Sequence, residues 1–280
     1  MTDPAFTVRR MARPELDLMI DWAAREGWNP GLRDAACFHA ADPGGFFIGL
    51  LDGAPISAIS AVSYGGAFGF LGCYLCVPEH RGKGYGIATW NAALQAMSVR
   101  AIGLDGVIEQ QSNYRKSGFV LAHRNIRFDG KAVAATPDPD IVPLKEVDMP
   151  AVRALDLACF GYERTGFLGA WLNAEGHRVL GCFSGGRLDG YAVIRPCREN
   201  AKIGPLFAHS PEVAERLFDA AVATADGPVF LDAPEDNGAA CDLAERKGLG
   251  RVFETARMYL GPAPTLPLNQ IFGITTFELG

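Results

Sequence analysis

A two-domain α/β (α+β) chain with one architecture used twice is what the sequence predicts, and three observations carry that reading. Its 280 residues exceed one ordinary domain, and with 49% hydrophobic residues they can bury two cores. A polar, proline-rich stretch, Thr136-Pro137-Asp138-Pro139-Asp140, interrupts the middle of the chain, where proline joins neither a helix nor a central strand easily. On either side of it helix- and strand-like patterns follow in the same order. The domains are therefore read as residues 1–132 and 133–280, a diverged internal duplication.

In the first half, Pro14 to Arg25 has helical periodicity, and Gly27-Trp28-Asn29-Pro30-Gly31 breaks it before a second short helix from Leu32 to His39. Two β-prone runs, Gly45 to Leu51 and Ala54 to Tyr64, flank Asp52-Gly53, a pair suited to the positive φ of a tight hairpin. A third strand from Phe68 to Val77 stops at Pro78. Helical periodicity returns from Gly84 to Val99, then a strand is expected at Gly106 to Gln110, a short helix through Tyr114 and a strand from Phe119. The second half repeats this with a helix from Asp148 to Phe160 and strands at Arg178 to Ser184, Gly190 to Arg195 and Ile203 to Ala208. A helix from Pro211 to Ala225, a strand from Val229 to Ala233, a helix from Ala239 to Lys247 and a strand beyond Leu249 complete it.

Composition removes several function classes. The formal charge is −6, with 13 basic and 12 acidic groups before residue 133 and 13 basic and 20 acidic after it. Neither half has the basic excess that replaces phosphate counterions, so no nucleic-acid partner is expected. The longest apolar stretch, Ala67 to Val77, has 11 residues against the roughly 20 that span a bilayer, so no membrane span is expected. Met1 to Arg10 lacks the apolar core of a secretion signal, which makes a cytoplasmic location the default. Seven cysteines without such a signal read as reduced core residues. Cys73 and Cys76 lie three apart in a strand-like run and face opposite sides, so neither zinc nor dithiol chemistry is expected there.

The chemistry concentrates in Val77-Pro78-Glu79-His80-Arg81-Gly82-Lys83-Gly84-Tyr85-Gly86-Ile87, where a strand ends and a helix begins. Glycines at alternate positions let the backbone approach a ligand and aim successive N–H groups at it. The helix start adds unpaired N–H groups and a positive dipole end, worth ~0.3–2 kcal/mol toward an anion. A pyrophosphate fits; an ordinary glycine turn is the plain alternative. The G-x-G-x-G spacing, with no βαβ repeat before it, matches a dinucleotide fingerprint poorly, and the absence of G-K-[ST] excludes a P-loop.

Val77-Pro78 followed by Arg81 to Gly86 resembles the R/Q-x-x-G-x-G/A signature of the Gcn5-related N-acetyltransferase (GNAT) superfamily, and Tyr114-Arg115-Lys116-Ser117-Gly118-Phe119 is similar to its Y-x-x-x-G-F segment. Glu26 to Gly31 and Asn113-Tyr114 also resemble a branch of tandem GNAT proteins. The resemblance implies, for each domain, a mixed, mostly antiparallel sheet flanked by helices. It further implies acetyl-CoA or a short-chain relative as acyl donor, contacted by Leu75, Val77, Arg81, Gly82, Lys83, Gly84, Tyr85, Gly86 and Ile87. A small primary amine would attack the thioester directly, Tyr114 would protonate the leaving thiolate, and Trp28 and Asn29 would line the acceptor pocket. A backbone N–H on the strand ending at Val77 would meet the acyl oxygen.

Glu109 is the candidate general base, ahead of Glu79, His80 and His39. A lysine-like amine, neutral in about one molecule in 2,500 at pH 7, needs a stronger base than an α-amine near pKa ~7.8. In the second half Asn237, Ala240, Leu243, Gly248 and Leu249 keep the superfamily spacing, but Ala244 stands where tyrosine belongs and His209 to Ala214 contains no glycine. That domain resembles a degenerate GNAT fold that shapes the acceptor site, its acidic excess favouring a cationic amine. Metal plays no part, and a monomer or homodimer is expected. The rivals are a noncatalytic acyl-CoA-binding sensor and a scaffold in which the loop is only a turn.

Overall fold

The computed structural model describes residues 5–132 and 138–280; the junction after residue 132, with Thr136 and Pro137 of the proline-rich segment, lies outside them. The first half runs β1 (Phe6–Arg10), α1 (Glu15–Arg25), α2 (Asp34–Ala41), β2 (Phe46–Leu51), β3 (Ala54–Tyr64), β4 (Phe68–Cys76), α3 (Tyr85–Ala96), β5 (Ala101–Val107), α4 (Gln111–Lys116) and β6 (Val120–Gly130). The second runs β7 (Ile141–Pro143), α5 (Met149–Phe160), α6 (Thr165–Leu172), β8 (Arg178–Ser184), β9 (Arg187–Pro196), β10 (Ala201–Ala208), α7 (Pro211–Val222), β11 (Val229–Pro234), α8 (Gly238–Arg246), β12 (Gly250–Leu260) and β13 (Ile271–Gly273).

These strands form one sheet in the order β1-β2-β3-β4-β5-β12-β6-β11-β10-β9-β8-β7, with β13 alongside β10. The sheet is mixed and mostly antiparallel. Each half therefore closes on a strand of the other, β12 pairing with β5 and β6 with β11, and the two exchanged strands pair with each other along the middle. Equivalent buried ion pairs hold the exchange. Arg257 of β12 grips its register partner Asp105 through two bonds of 2.9 and 2.7 Å, and Arg127 of β6 grips Asp232 of β11 at 2.7 and 2.8 Å. Breaking such a pair strands a charge in the interior, so each fixes its strand's register.

One apolar core gathers α1, α2, α5 and α6 with the sheet and the tail residues Phe277 and Leu279, while two smaller cores seat α3 and α4 on the first half and α7 and α8 on the second. The turn between α1 and α2 is docked on the second half. Asn29, in a positive-φ conformation (51°), both donates to Glu199 O and accepts from Glu199 N, each at 2.9 Å.

One expected strand is displaced, and four elements, α6, β1, β7 and β13, were not expected. The strand expected at Gly106 to Gln110 occupies Ala101–Val107, and residues 108–110 form a 3-10 turn. The glycines that blur its alternation serve close packing, since a Cβ on Gly106 would lie 2.7 Å from the Tyr114 ring. Helix α6 carries two glycines that mask its propensity; Gly166 lets it approach Ala40 of α2, whose carbonyl would sit 2.8 Å from an added Cβ. The short strands β1, β7 and β13 have too few residues to show a period of their own.

Candidate active site

Strands β4 and β5 run parallel and pair only from Phe68 to Leu71 with Ala101 to Leu104. Beyond that point they part. The cause lies in β4, where the pairing with β3 slips between Ser60 and Ala58 and Cys73 takes a positive φ of 44°, the geometry of a bulge. The resulting wedge is a cavity of about 60 Å³ at its core, with Gly72, Cys73 and Tyr74 on one wall and Leu104, Asp105 and Val107 on the other. Trp90 of α3 and Tyr114 of α4 line one end; Trp28, Phe253, Phe277 and Glu278 line the other.

The glycine loop stands beside this wedge. Residues Pro78–His80 make a 3-10 turn, Gly82 and Gly84 take φ of 72° and 89°, and Gly84 begins α3 with no side-chain cap. Ala88 N is the first of the helix to donate to a backbone carbonyl, Gly84 O at 3.1 Å, so the amides before it are left as donors. A Cβ added at Gly82 or Gly84 would meet nothing within 4 Å, which leaves an open cradle for a bulky anion. Tyr74 ties loop to wedge, its hydroxyl lying 2.9 Å from where a Cβ of Gly86 would stand.

The predicted residues separate into groups. Gly82, Lys83, Gly84, Tyr85, Gly86 and Ile87 are together in the loop and first turn of α3, Lys83 and Ile87 exposed. Arg81 turns away: its Nε donates to Cys76 O at 2.8 Å and it pairs with Glu26. Leu75 and Val77 line a neighbouring cavity with Trp22, Arg25, Cys76, Pro78 and Glu79, Leu75 facing α1 rather than the wedge. Tyr114 is buried, stacks on Trp90 at 5.4 Å and packs edge-on to Phe119, and burial first, then Tyr74, hold its phenol well above the ordinary tyrosine range. Glu109 lies exposed on the 3-10 turn after β5, outside the wedge lining. Trp28 lines the wedge, whereas Asn29 lies outside its lining and its side-chain amide is engaged by Glu199.

Sequence reasoning missed Tyr74, Trp90, Phe253, Phe277 and Glu278 of the lining. Tyr74 and Trp90 stand on elements that were foreseen, and alternation in the strand and a helical step from Gly86 put both toward Tyr114. The tail residues carry no local signal, being brought in by long-range packing.

The second half has the same wedge, filled. Strands β10 and β11 pair in parallel from Ala201 to Ile203 with Val229 to Leu231 and then part, and β13 enters the gap, with Phe272 fully buried. A Cβ on Gly273 would sit 2.8 Å from Leu231 and 3.1 Å from Leu206, one on each strand. At the start of α7, Ser210 Oγ accepts from Val213 N at 3.4 Å, so an amide that is open in α3 is capped here. Ala244, where the superfamily has tyrosine, is buried in the core. From β13 the chain crosses to the first wedge and delivers Phe277 and Glu278 to it. Seven cysteines are free, and no cluster of three or more metal-ligating side chains occurs among the described residues. Nor is any helix there long and apolar enough to cross a membrane.

Two splayed-strand halves, one open and one plugged, define a tandem protein of acyltransferase fold. Comparison with known proteins agrees: the Acetyltransferase (GNAT) family profile matches residues 12–119, and the Acetyltransferase (GNAT) domain profile matches residues 152–273. The chain belongs to the GNAT family. It is 32% identical to holothin acyltransferase of Pseudoalteromonas sp. (strain SANK 73390) across 98% of this chain and 95% of that one. A putative acetyltransferase from Pyrococcus horikoshii shares the fold over 98% of this chain and 96% of its own, with a TM-score of 0.85 at 21% identity. A tandem GNAT protein from the clavulanic acid biosynthesis pathway superposes with a TM-score of 0.65 over 92% of this chain and all 100% of its own, at 13% identity.

Proposed function

We propose that the protein transfers an acetyl or other short acyl group from acyl-CoA to a small primary amine at the β4–β5 wedge. The observation that carries this is the opening of the wedge between the cradle of Gly82 and Gly84 and the buried phenol of Tyr114. The open amides of the loop would hold the pyrophosphate, and the pantetheine arm would enter where β4 and β5 lack cross-strand bonds. The amine nitrogen attacks the thioester carbon and gives up one proton to a base or to water, the C–S bond breaks with its electron pair on sulfur, and sulfur takes the Tyr114 proton. Solvent returns a proton to the phenolate. Burial and then Tyr74 raise its pKa, so Tyr114 is protonated throughout the neutral range. A β4 amide at the bulge would donate to the thioester oxygen as charge develops there.

The relative that acylates holothin spans both halves, which supports an enzyme over a binding sensor. We further propose residues 1–132 as the acyl-CoA-binding, catalytic domain and 133–280 as the domain that completes the acceptor side. The test is thiol release from acetyl-CoA with a panel of amines, for wild type and Tyr114→Phe. The phenol's loss should lower kcat by roughly 100-fold or more with acetyl-CoA affinity unchanged. Equal turnover by the variant would remove Tyr114 as the acid.

A further inference from the structure

The lining of the wedge has an acceptor end that no glycine-loop argument explains, and it rests on the tail of the second half. Phe277 and Glu278 enter beside the β4 bulge so closely that a Cβ on Gly72 would overlap the Glu278 backbone. The tail is pinned on both sides: Tyr64 donates to Leu279 O and Arg164 to Gly280 O, each at 3.0 Å. Three aromatic side chains, Trp28, Phe253 and Phe277, wall this end.

Two carboxylates line the cavity, and they differ. Asp105 is occupied by both bonds from Arg257 and by Asn125 Nδ2 at 2.8 Å. Glu278 is 3% exposed, yet its Oε2 has no partner among the described residues. A buried carboxylate oxygen left unpaired at a cavity wall lacks the donor that would repay its desolvation. Resting on the acyl-transfer reading above, we propose that the acceptor is a compact amine with a flat, apolar body, and that Glu278 accepts its N–H and takes the proton released when the amide bond forms.

The reaction balances. Nitrogen gains the acyl carbon and loses one proton to Glu278, while sulfur leaves with the Tyr114 proton. The aromatic walls receive the body of the acceptor, and the narrow core admits only its amino group. The surroundings set the charge of Glu278. Burial, the largest effect, raises its pKa; Lys202 of β10, Arg127 of β6 and Arg195 of β9 pull it down, and Asp34 of α2 pushes it up. Arg127 is paired to Asp232 and Arg195 contacts Asp34 at 3.2 Å, whereas Lys202 Nζ has, among the described residues, the carbonyl of Asn29 at 3.1 Å, and burial pushes its pKa down as it pushes that of Glu278 up. Cys73 of β4 stays a thiol, its pKa raised by burial first and then by the same carboxylate. A carboxylate with a raised pKa accepts protons above that pKa, so amine acylation rises with pH through it.

The test uses the full-length protein, acetyl-CoA, and two probes, aniline and benzylamine. Aniline is uncharged over the assay range, so an acid limb in its pH profile reports the protein. Wild type should acylate a probe with such a limb, and Glu278→Gln should lower kcat/KM roughly 100-fold, flatten the limb and leave acetyl-CoA affinity unchanged. Thermal melting within a few degrees of wild type keeps the comparison one of chemistry. An unchanged profile in Glu278→Gln overturns the assignment. Acetyl-CoA binding by a wild type that acylates neither probe but does acylate a flexible aliphatic amine overturns the acceptor class alone. Absence of acetyl-CoA binding brings down the underlying reading.

Discussion

Truncating Phe272 to alanine tests the idea that the second half is shut by its own chain. The ring is fully buried in the gap where β10 and β11 part, and both walls belong to one continuous sheet that cannot close around a void. Phe→Ala in a core costs about 3–5 kcal/mol, the upper part applying where surroundings do not relax. That is a large share of the ~5–15 kcal/mol that holds a typical domain together. The second consequence is functional. β13 has three residues and leads directly into the tail carrying Phe277 and Glu278, so loosening it should raise KM for the amine while acetyl-CoA binds as before. Urea titration supplies the stability change at constant slope, and calorimetry with acetyl-CoA alongside steady-state kinetics supplies the split. A loss under about 1 kcal/mol, below the range for an unrelaxed core cavity, would refute the plug. So would a fall in acetyl-CoA affinity with the amine KM unchanged.

Arg257→Met should cost about 3–5 kcal/mol by leaving Asp105 buried and unpaired, and adding Asp105→Leu should recover most of it; denaturant midpoints of both variants check this. Burial and Arg257 push His123 down to about 3, so below about pH 6.5 the unfolded chain binds a proton that the folded chain refuses. Stability contributed by His123 is thus complete above pH ~6.5 and lost as pH falls toward the folded value, and His123→Gln should reduce the drop in urea midpoint between pH 7.5 and 5.

Most regular elements were legible because their signals are local. Ala54–Tyr64 and Arg178–Ser184 are β-prone runs bounded by turn residues, and Gly82 and Gly84 reveal a positive-φ loop before a helix. The exchange of β6 and β12 was not legible, since both strands look alike to any neighbour until Arg127 and Arg257 choose between Asp232 and Asp105. A signal existed: the arginines stand in corresponding positions of Asn125-Ile126-Arg127 and Thr255-Ala256-Arg257, and the aspartates in Leu104-Asp105-Gly106 and Leu231-Asp232-Ala233. At the site, the loop could be read from its glycines. Glu278 could not, because its place depends on β13 finding the gap between β10 and β11, more than sixty residues earlier in the chain for Leu206. Glu109 is expected at the end of a strand from Gly106 to Gln110, but the strand ends at Val107 and the turn after it leaves Glu109 exposed.

Acyl transfer at this wedge requires the glycine cradle to hold an acyl-CoA, and calorimetric titration of acetyl-CoA into wild type and Gly84→Glu tests that most directly. A Cβ at Gly84 meets nothing, so the new side chain costs the fold only the strain of its positive φ, about 1 kcal/mol, while it sets a carboxylate where the pyrophosphate would lie. Saturable binding by wild type and a loss of ten-fold or more in the folded variant are the predicted results. No binding by wild type, or equal binding by both, would contradict the account.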